Sequence, residues 1–268
     1  MLGKTKVFHR CWLLDKVDTI IVGVHGFAEH SGRYTHVGEA FLEHRYAFCT
    51  HDLRGHGKTA AEGDAGYVEK FDDFLTDLEN YIKIIAEKHK PKKIVLLGHS
   101  MGGLIVLHYL ARIKSNVDAA VTSGAATIIK VNPLQLLFLK TINMLNPRIR
   151  LNLPIKPELL SHNQNVVKSY IEDPLVVKKP TARLLYELIR ASQDVWKYID
   201  RIEKPLLLLH GEKDQVVPPK ASIDVYNRIK YPEKELKIYK DLYHEILNEN
   251  SWREIIKDIM SWLYKTIK

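Results

Sequence analysis

Cysteine is almost missing from this chain: Cys11 and Cys49 are the only two in 268 residues. No CxxC spacing is present, which excludes a zinc ribbon and a dithiol redox motif. Their flanks, HRCWL and YAFCT, read as strands, and the two are expected to be reduced core thiols of a cytoplasmic protein. No apolar run approaches the ~20 residues of a bilayer span. The N-terminus MLGKTKVFHRCWLL lacks an apolar stretch ending in small residues, so no secretory signal is expected. A phosphate-binding GxxxxGK[ST] is also missing, since the glycine-rich HDLRGHGKT (51–59) does not fit it. Aromatic residues make up 9% and do not alternate with basic ones, which argues against a single-strand nucleic-acid groove. The formal net charge of +8 is spread along the chain. Only KHKPKK (88–93) is dense, and it reads as a solvated loop before a strand. Nucleic acid, metal and organic cofactors are therefore not expected.

What the chain does have is an alternation of short apolar runs with helical patterns. VDTIIVGV (17–24), YAFCTHD (46–52), KIVLLGH (93–99), DAAVTSG (118–124) and PLLLLHG (205–211) are continuously apolar, as strands buried on both faces are. Between them, FDDFLTDLENYIKIIAEKH (71–89) puts Phe71, Phe74, Leu75, Leu78, Ile82 and Ile85 near one helical face. It carries Asp72, Asp73 and Asp77 early, where a helix dipole favours them. MGGLIVLHYLARI (101–113) and NSWREIIKDIMSWLYKTI (250–267) are further helices. This order predicts an α/β fold with a mostly parallel sheet covered on both faces. The alternation breaks between 126 and 192, giving a first core part at 1–125, a helical cap at 126–192 and a second core part at 193–268. Within the cap, PLQLLFLKTINMLNP (133–147) is apolar nearly all round. Such a helix is either buried or turned toward lipid.

The chemistry centres on GHSMG (98–102). A serine between glycines, after an apolar strand and before a helix, has the context of a nucleophile elbow. About 0.03 such five-residue matches are expected by chance in a chain with 14 Gly and 10 Ser, so the match is informative. Ser100 needs a base, and the base needs an orienting acid. In this arrangement the acid precedes the histidine along the chain. LLLLHGEKDQVVP offers Asp214 after a strand, and YKDLYHEIL offers His244 after the strand-like ELKIY. Asp241 is the competing acid. His99 and His108 are not offset enough to reach Ser100, and His210 is expected to pack. Oxyanion donors are expected at the Met101 N–H and, in HGFAEHSGRY (25–34), at the Phe27 N–H. HDLRGHGKT is expected to support the site from beneath, with Asp52 and Arg54 as buried partners.

On these residues the chain resembles the α/β-hydrolase superfamily, and within it the monoacylglycerol lipase and lysophospholipase-like serine hydrolases. HGFAEHSGRY, DLRGHGKT, LLGHSMGG, LHGEKDQVVP and YHEI carry the resemblance, which covers nearly the whole chain. It implies a Ser100–Asp214–His244 triad, oxyanion donors at Phe27 and Met101, and a cap over an apolar acyl channel. It further implies action on single-chain lipid esters without a cofactor. Glu29 and Arg33 fall on polar positions of the motif, as a charge pair fixing the loop or as substrate contacts. Monoacylglycerols are the expected substrates. General carboxylesterase or lysophospholipase chemistry on the same triad is the alternative, and a non-enzymatic ligand receptor on this fold is the remote one. Peripheral membrane contact through the cap is a further expectation. Two departures stand out: Ala28 occupies a position where glycine is commoner, and Phe27 is bulky for its place.

Overall fold

The computed structural model describes residues 6–60, 64–152 and 155–267. The first five residues of the N-terminal stretch, and Leu153 and Pro154 of the cap, lie outside them. Seven strands form one sheet: β1 (His9–Trp12), β2 (Thr19–Val24), β3 (Ala47–His51), β4 (Lys93–His99), β5 (Ala119–Ser123), β6 (Leu206–Gly211) and β7 (Lys234–Tyr239). Their spatial order is β1-β3-β2-β4-β5-β6-β7. β1 pairs antiparallel with β3, and every other pairing is parallel. The sheet is thus mostly parallel, as expected from the continuous apolar runs.

Those runs divide by the two-residue period of a strand. Ile20, Val22 and Leu96 enter one core, with α2 (Asp72–His89), α3 (Met101–Arg112) and α7 (Lys220–Arg228). Ile21, Val95 and Leu97 enter the other, with α1 (Thr35–Glu43) and α8 (Trp252–Thr266). Each such leucine, fully removed from water, stabilises the fold by about 1.5–3 kcal/mol. α2 begins on Asp72 and Asp73 and stops at Lys90, whose φ of 46° is left-handed. That conformation ends a helix, and Pro91 follows it.

The chain moves from β2 to β3 on one side, then crosses back to place β4 on the other side of β2. Loops leaving β2 and β4 therefore diverge at adjacent strand ends, where open α/β sheets bind ligands. HGFAEHSGRY follows β2 and GHSMG closes β4.

Between β5 and β6 no described residue adds a strand to the sheet. The chain runs through α4 (Pro133–Leu145), a one-turn helix at Pro157–Leu159, α5 (Gln164–Glu172) and α6 (Ala182–Asp194). Asn132 caps α4 reciprocally with Gln135. α4 rests Leu139 against Ala182 and Ile189 of α6, with Leu136 and Ile142 partly covered. Its other apolar residues face outward: Leu134 is 79% exposed, Phe138 63% and Met144 77%. This is not a buried helix. No helix among the described residues is long and apolar enough to cross a membrane.

One expectation is overturned. Cys11 and Cys49 sit directly opposite each other on β1 and β3 and are joined by a disulfide. Cross-strand register, rather than sequence spacing, brings the two together. A cytoplasmic location inferred from reduced thiols loses that support.

Candidate active site

The tightness of GHSMG has a direct geometric cause. Ser100 has φ 51° and ψ −115°. A Cβ on Gly102 would lie 2.0 Å from the Val24 carbonyl oxygen, and one on Gly98 2.5 Å from that of Gly102. Strand and helix approach so closely that neither position admits a side chain. The Ser100 N–H donates to the Ser123 carbonyl oxygen at 2.9 Å, which ties the turn to β5. Met101 opens α3, so its N–H is among those without an intrahelical acceptor.

The loops after β6 and β7 bring Asp214 and His244 to the same place. His244 Nδ1 donates to Asp214 Oδ2 at 2.6 Å, and its Nε2 lies 2.9 Å from Ser100 Oγ. Asp241 stands apart, exposed and paired with Lys213 at 2.6 Å. Burial disfavours charge on His244, but the charge and hydrogen bond of Asp214, with Glu245 and Glu29, outweigh it and raise its pKa above 6.5.

Asp214 has a fuller set of donors than the sequence suggests. Its Oδ1 accepts from the Val216 and Val217 amides, each at 2.8 Å. Its Oδ2 is also 3.1 Å from His210 Nε2, while His210 Nδ1 meets Ser222 Oγ at 2.7 Å. His210 Nε2 faces two acceptors, this carboxylate and the Val217 carbonyl, so it carries the proton. His210 is packed, and it also holds the Asp214 carboxylate. Burial alone would raise the Asp214 pKa; His244 and His210 reverse this and hold it well below the ordinary carboxylate value. Gly124, at φ 56°, lies beneath the pair, where a Cβ would come within 3.2 Å of His244 Nδ1.

The loop after β2 is fixed from both sides. Glu29 Oε1 accepts from the Gly26 N–H at 2.6 Å and from the Tyr34 hydroxyl at 2.8 Å; Oε2 accepts from Arg33 at 2.9 Å. Desolvation would raise the Glu29 pKa, but Arg33, His99 and His25 bring it down to about 2. A Cβ on Gly26 would sit 3.3 Å from Ser100 Cβ, so this loop lies against the serine. Phe27 is half-buried and Ala28 has φ 67°, the conformation for which a glycine is commoner. His25 Nε2 accepts from the Leu53 N–H at 2.9 Å. Its Nδ1 must then donate to the Gly26 carbonyl at 2.8 Å, which fixes the tautomer.

HDLRGHGKT contacts the loop after β2 through Leu53 and Asp52. Asp52 is buried and accepts from the Ser31 amide and hydroxyl and from the Lys58 amide. Arg54 is not the expected buried partner: it turns away to the buried Asp77 and to Asp73, both on α2, and is itself 29% exposed. The Arg33 fork reaches Glu245 with bonds of 2.6 and 2.7 Å. Glu245 follows His244 and has no sequence signal of its own beyond that adjacency.

A family model described as serine aminopeptidase, S33 matches residues 15–251. The chain is similar to a monoacylglycerol lipase of Mycolicibacterium smegmatis, with 31% identity over 266 residues covering 98% of this chain and 94% of that protein. It is similar to the phospholipase YtpA of Bacillus subtilis, with 26% identity over 250 residues covering 92% and 95%. Among solved structures it resembles a monoacylglycerol lipase of Paleococcus ferrophilus, with TM-score 0.86 and 28% identity over 97% of this chain and 99% of that one. The chain belongs to the serine aminopeptidase S33 family, as an α/β-hydrolase of the monoacylglycerol-lipase-like, ester-cleaving kind.

Proposed function

We propose that the protein cleaves monoacylglycerols or similar single-chain acyl esters through Ser100, His244 and Asp214. The observation that carries this reading is the unbroken hydrogen-bond chain from Asp214 through His244 to Ser100, 2.6 and 2.9 Å long. Ser100 Oγ attacks the ester carbonyl as its proton passes to His244 Nε2. The Phe27 and Met101 amides stabilise the oxyanion. The tetrahedral intermediate collapses, and His244 returns the proton to the leaving alcohol. Water then repeats the sequence on the acyl-enzyme, with His244 again the base. Asp214 stays ionised throughout and holds the imidazole tautomer.

The leaving alcohol is read as neutral. Arg33, the cation nearest the oxyanion loop in this network, is engaged by Glu29 and Glu245. Glu29 and Arg33 thus serve the loop as a charge pair and do not offer a phosphate an open guanidinium. This favours a glycerol over a phosphorylated head group. Similarity to a phospholipase keeps lysophospholipid cleavage as the second reading. A panel of monoacylglycerols, p-nitrophenyl esters and lysophospholipids, from about four to about sixteen carbons, separates the two. Ser100-dependent turnover of monoacylglycerols is expected. Turnover of lysophospholipids alone would move the substrate, and of the shortest activated esters alone would make this a general carboxylesterase. Activity should rise with pH through the His244 pKa, above 6.5, because only neutral imidazole accepts the Ser100 proton.

The segment 126–192 is proposed as the cap over the acyl site, meeting lipid through α4. It holds ten Lys or Arg against four Asp or Glu, so most of the chain's formal net charge lies in this segment. Polar substitution of Leu137 and Phe138 should lower binding to anionic vesicles several-fold, and salt should do the same. Leu136 is a poor choice for that test because it packs against the cap core. Sedimentation indifferent to both changes would end the membrane reading.

A further inference from the structure

The stretch Leu160–Asn163 and the α5 region after it are tied to the body of the site. They are hydrogen-bonded or packed to three of the site's loops, those after β2, β6 and β7. The Val177 amide donates to the Ala28 carbonyl at 2.8 Å, and His30 Nε2 lies 2.8 Å from Asp173 Oδ2, which holds the loop after β2. Val216, whose amide supports Asp214, packs on the small core of Leu160, Tyr170 and Val176. The loop after β7 is gripped most closely. The Glu245 amide donates to the Leu160 carbonyl at 2.8 Å. The Tyr243 amide donates to Glu249 Oε1 at 3.0 Å.

Glu249 is 1% exposed, and the cap supplies its other partners. His162 Nδ1 meets Oε1 at 2.9 Å, the His162 amide meets Oε2 at 3.0 Å, and the Ser161 hydroxyl meets Oε2 at 3.2 Å. The His162 ring also stacks on Tyr243, with centroids 3.7 Å apart. The backbone amides on both sides of His244 are therefore held, one by a cap carbonyl and one by a carboxylate that the cap itself clasps. α4, by contrast, leaves most of its apolar residues uncovered.

We propose that Glu249, clasped by Ser161 and His162, is a positioning residue that fixes His244 against Ser100 and Asp214. The second half of the cap is then part of the catalytic frame. The proposal rests on His244 being the base of the reaction.

Each Glu249 oxygen accepts from a backbone amide, Oε1 from Tyr243 and Oε2 from His162, whereas the Ser161 hydroxyl shares its one proton with the nearer Asn248 carbonyl at 3.0 Å. In Glu249→Gln one oxygen becomes an NH₂ facing one of these amides, and the clasp opens without a change of size. A misplacement of about 1 Å at the reacting atoms costs on the order of 10²-fold. Glu249→Gln should therefore lose about 10- to 100-fold in kcat with KM nearly unchanged. Its rising pH limb should move down toward the ordinary histidine value as contact with Asp214 loosens. His162→Ala, which removes the imidazole contact and the stack on Tyr243 but leaves the His162 amide and Ser161 in place, should lose less in the same direction. His162→Ala keeps the question open to test if Glu249→Gln does not fold. Proton NMR of the His244 Nδ1–H, a low-field signal in the wild type, should show it broadened or shifted in both variants. This readout needs no activity, so it tests the clasp even if the ester hydrolase reading fails. Folded variants with wild-type kcat, pH limb and Nδ1–H signal would overturn the proposal. A lowered melting temperature with those three unchanged would reduce Glu249 to a structural residue.

Discussion

Ser100→Ala is expected to lower ester turnover by about three to six orders of magnitude while leaving the melting temperature unchanged. The stability half of this result follows from the backbone. Ser100 sits at φ 51°, and serine and alanine both carry a Cβ, so the strain of that conformation is the same in either. The hydrogen bond given up is the one between Oγ and His244 Nε2. The catalytic half follows from the proposed role of Ser100 Oγ, hydrogen-bonded to His244, as the nucleophile. What remains is binding and oxyanion stabilisation, which alone give some rate over water. Initial rates on a medium-chain monoacylglycerol, beside a thermal melt, check both halves.

Asp214→Asn should cost on the order of 10⁴ in kcat, and Asp241→Ala should cost almost nothing. The carboxylate faces four N–H donors: two amides on Oδ1 and two imidazoles on Oδ2. An asparagine can satisfy the two amides with its oxygen. Its NH₂ then opposes His244 Nδ1–H, and the imidazole escapes the clash by moving its proton to Nε2. That tautomer presents no lone pair to Ser100. Asp241 lies on the surface with Lys213, and its removal touches none of this. A near-normal rate in Asp214→Asn would refute the assignment of the acid.

How much of the fold and site is legible in the sequence follows from how local each cause is. Strands such as KIVLL and PLLLL are set by burial on both faces, a property of consecutive residues, and the sheet has them where the apolar runs lie. GHSMG is legible because close backbone approach leaves glycines at fixed offsets. His210 reads only as packing, since its bond to Asp214 depends on how the loop after β6 folds back. Glu245 and Glu249, the latter a positioning residue only by proposal, carry no local signal because their partners, Arg33 and His162, are 212 and 87 residues away. Arg54 is misplaced by sequence reasoning for the related reason that its carboxylates come from α2. The disulfide depends on strand register, which nothing near either cysteine specifies.

The most direct measurement is covalent labelling by a serine-directed fluorophosphonate, followed by peptide mass spectrometry. A Ser100–His244–Asp214 triad predicts a single probe per chain, on the peptide containing Ser100. The labelling rate should rise with pH through the His244 pKa and collapse in Asp214→Asn. No label on the folded protein, or label on another serine, would contradict it.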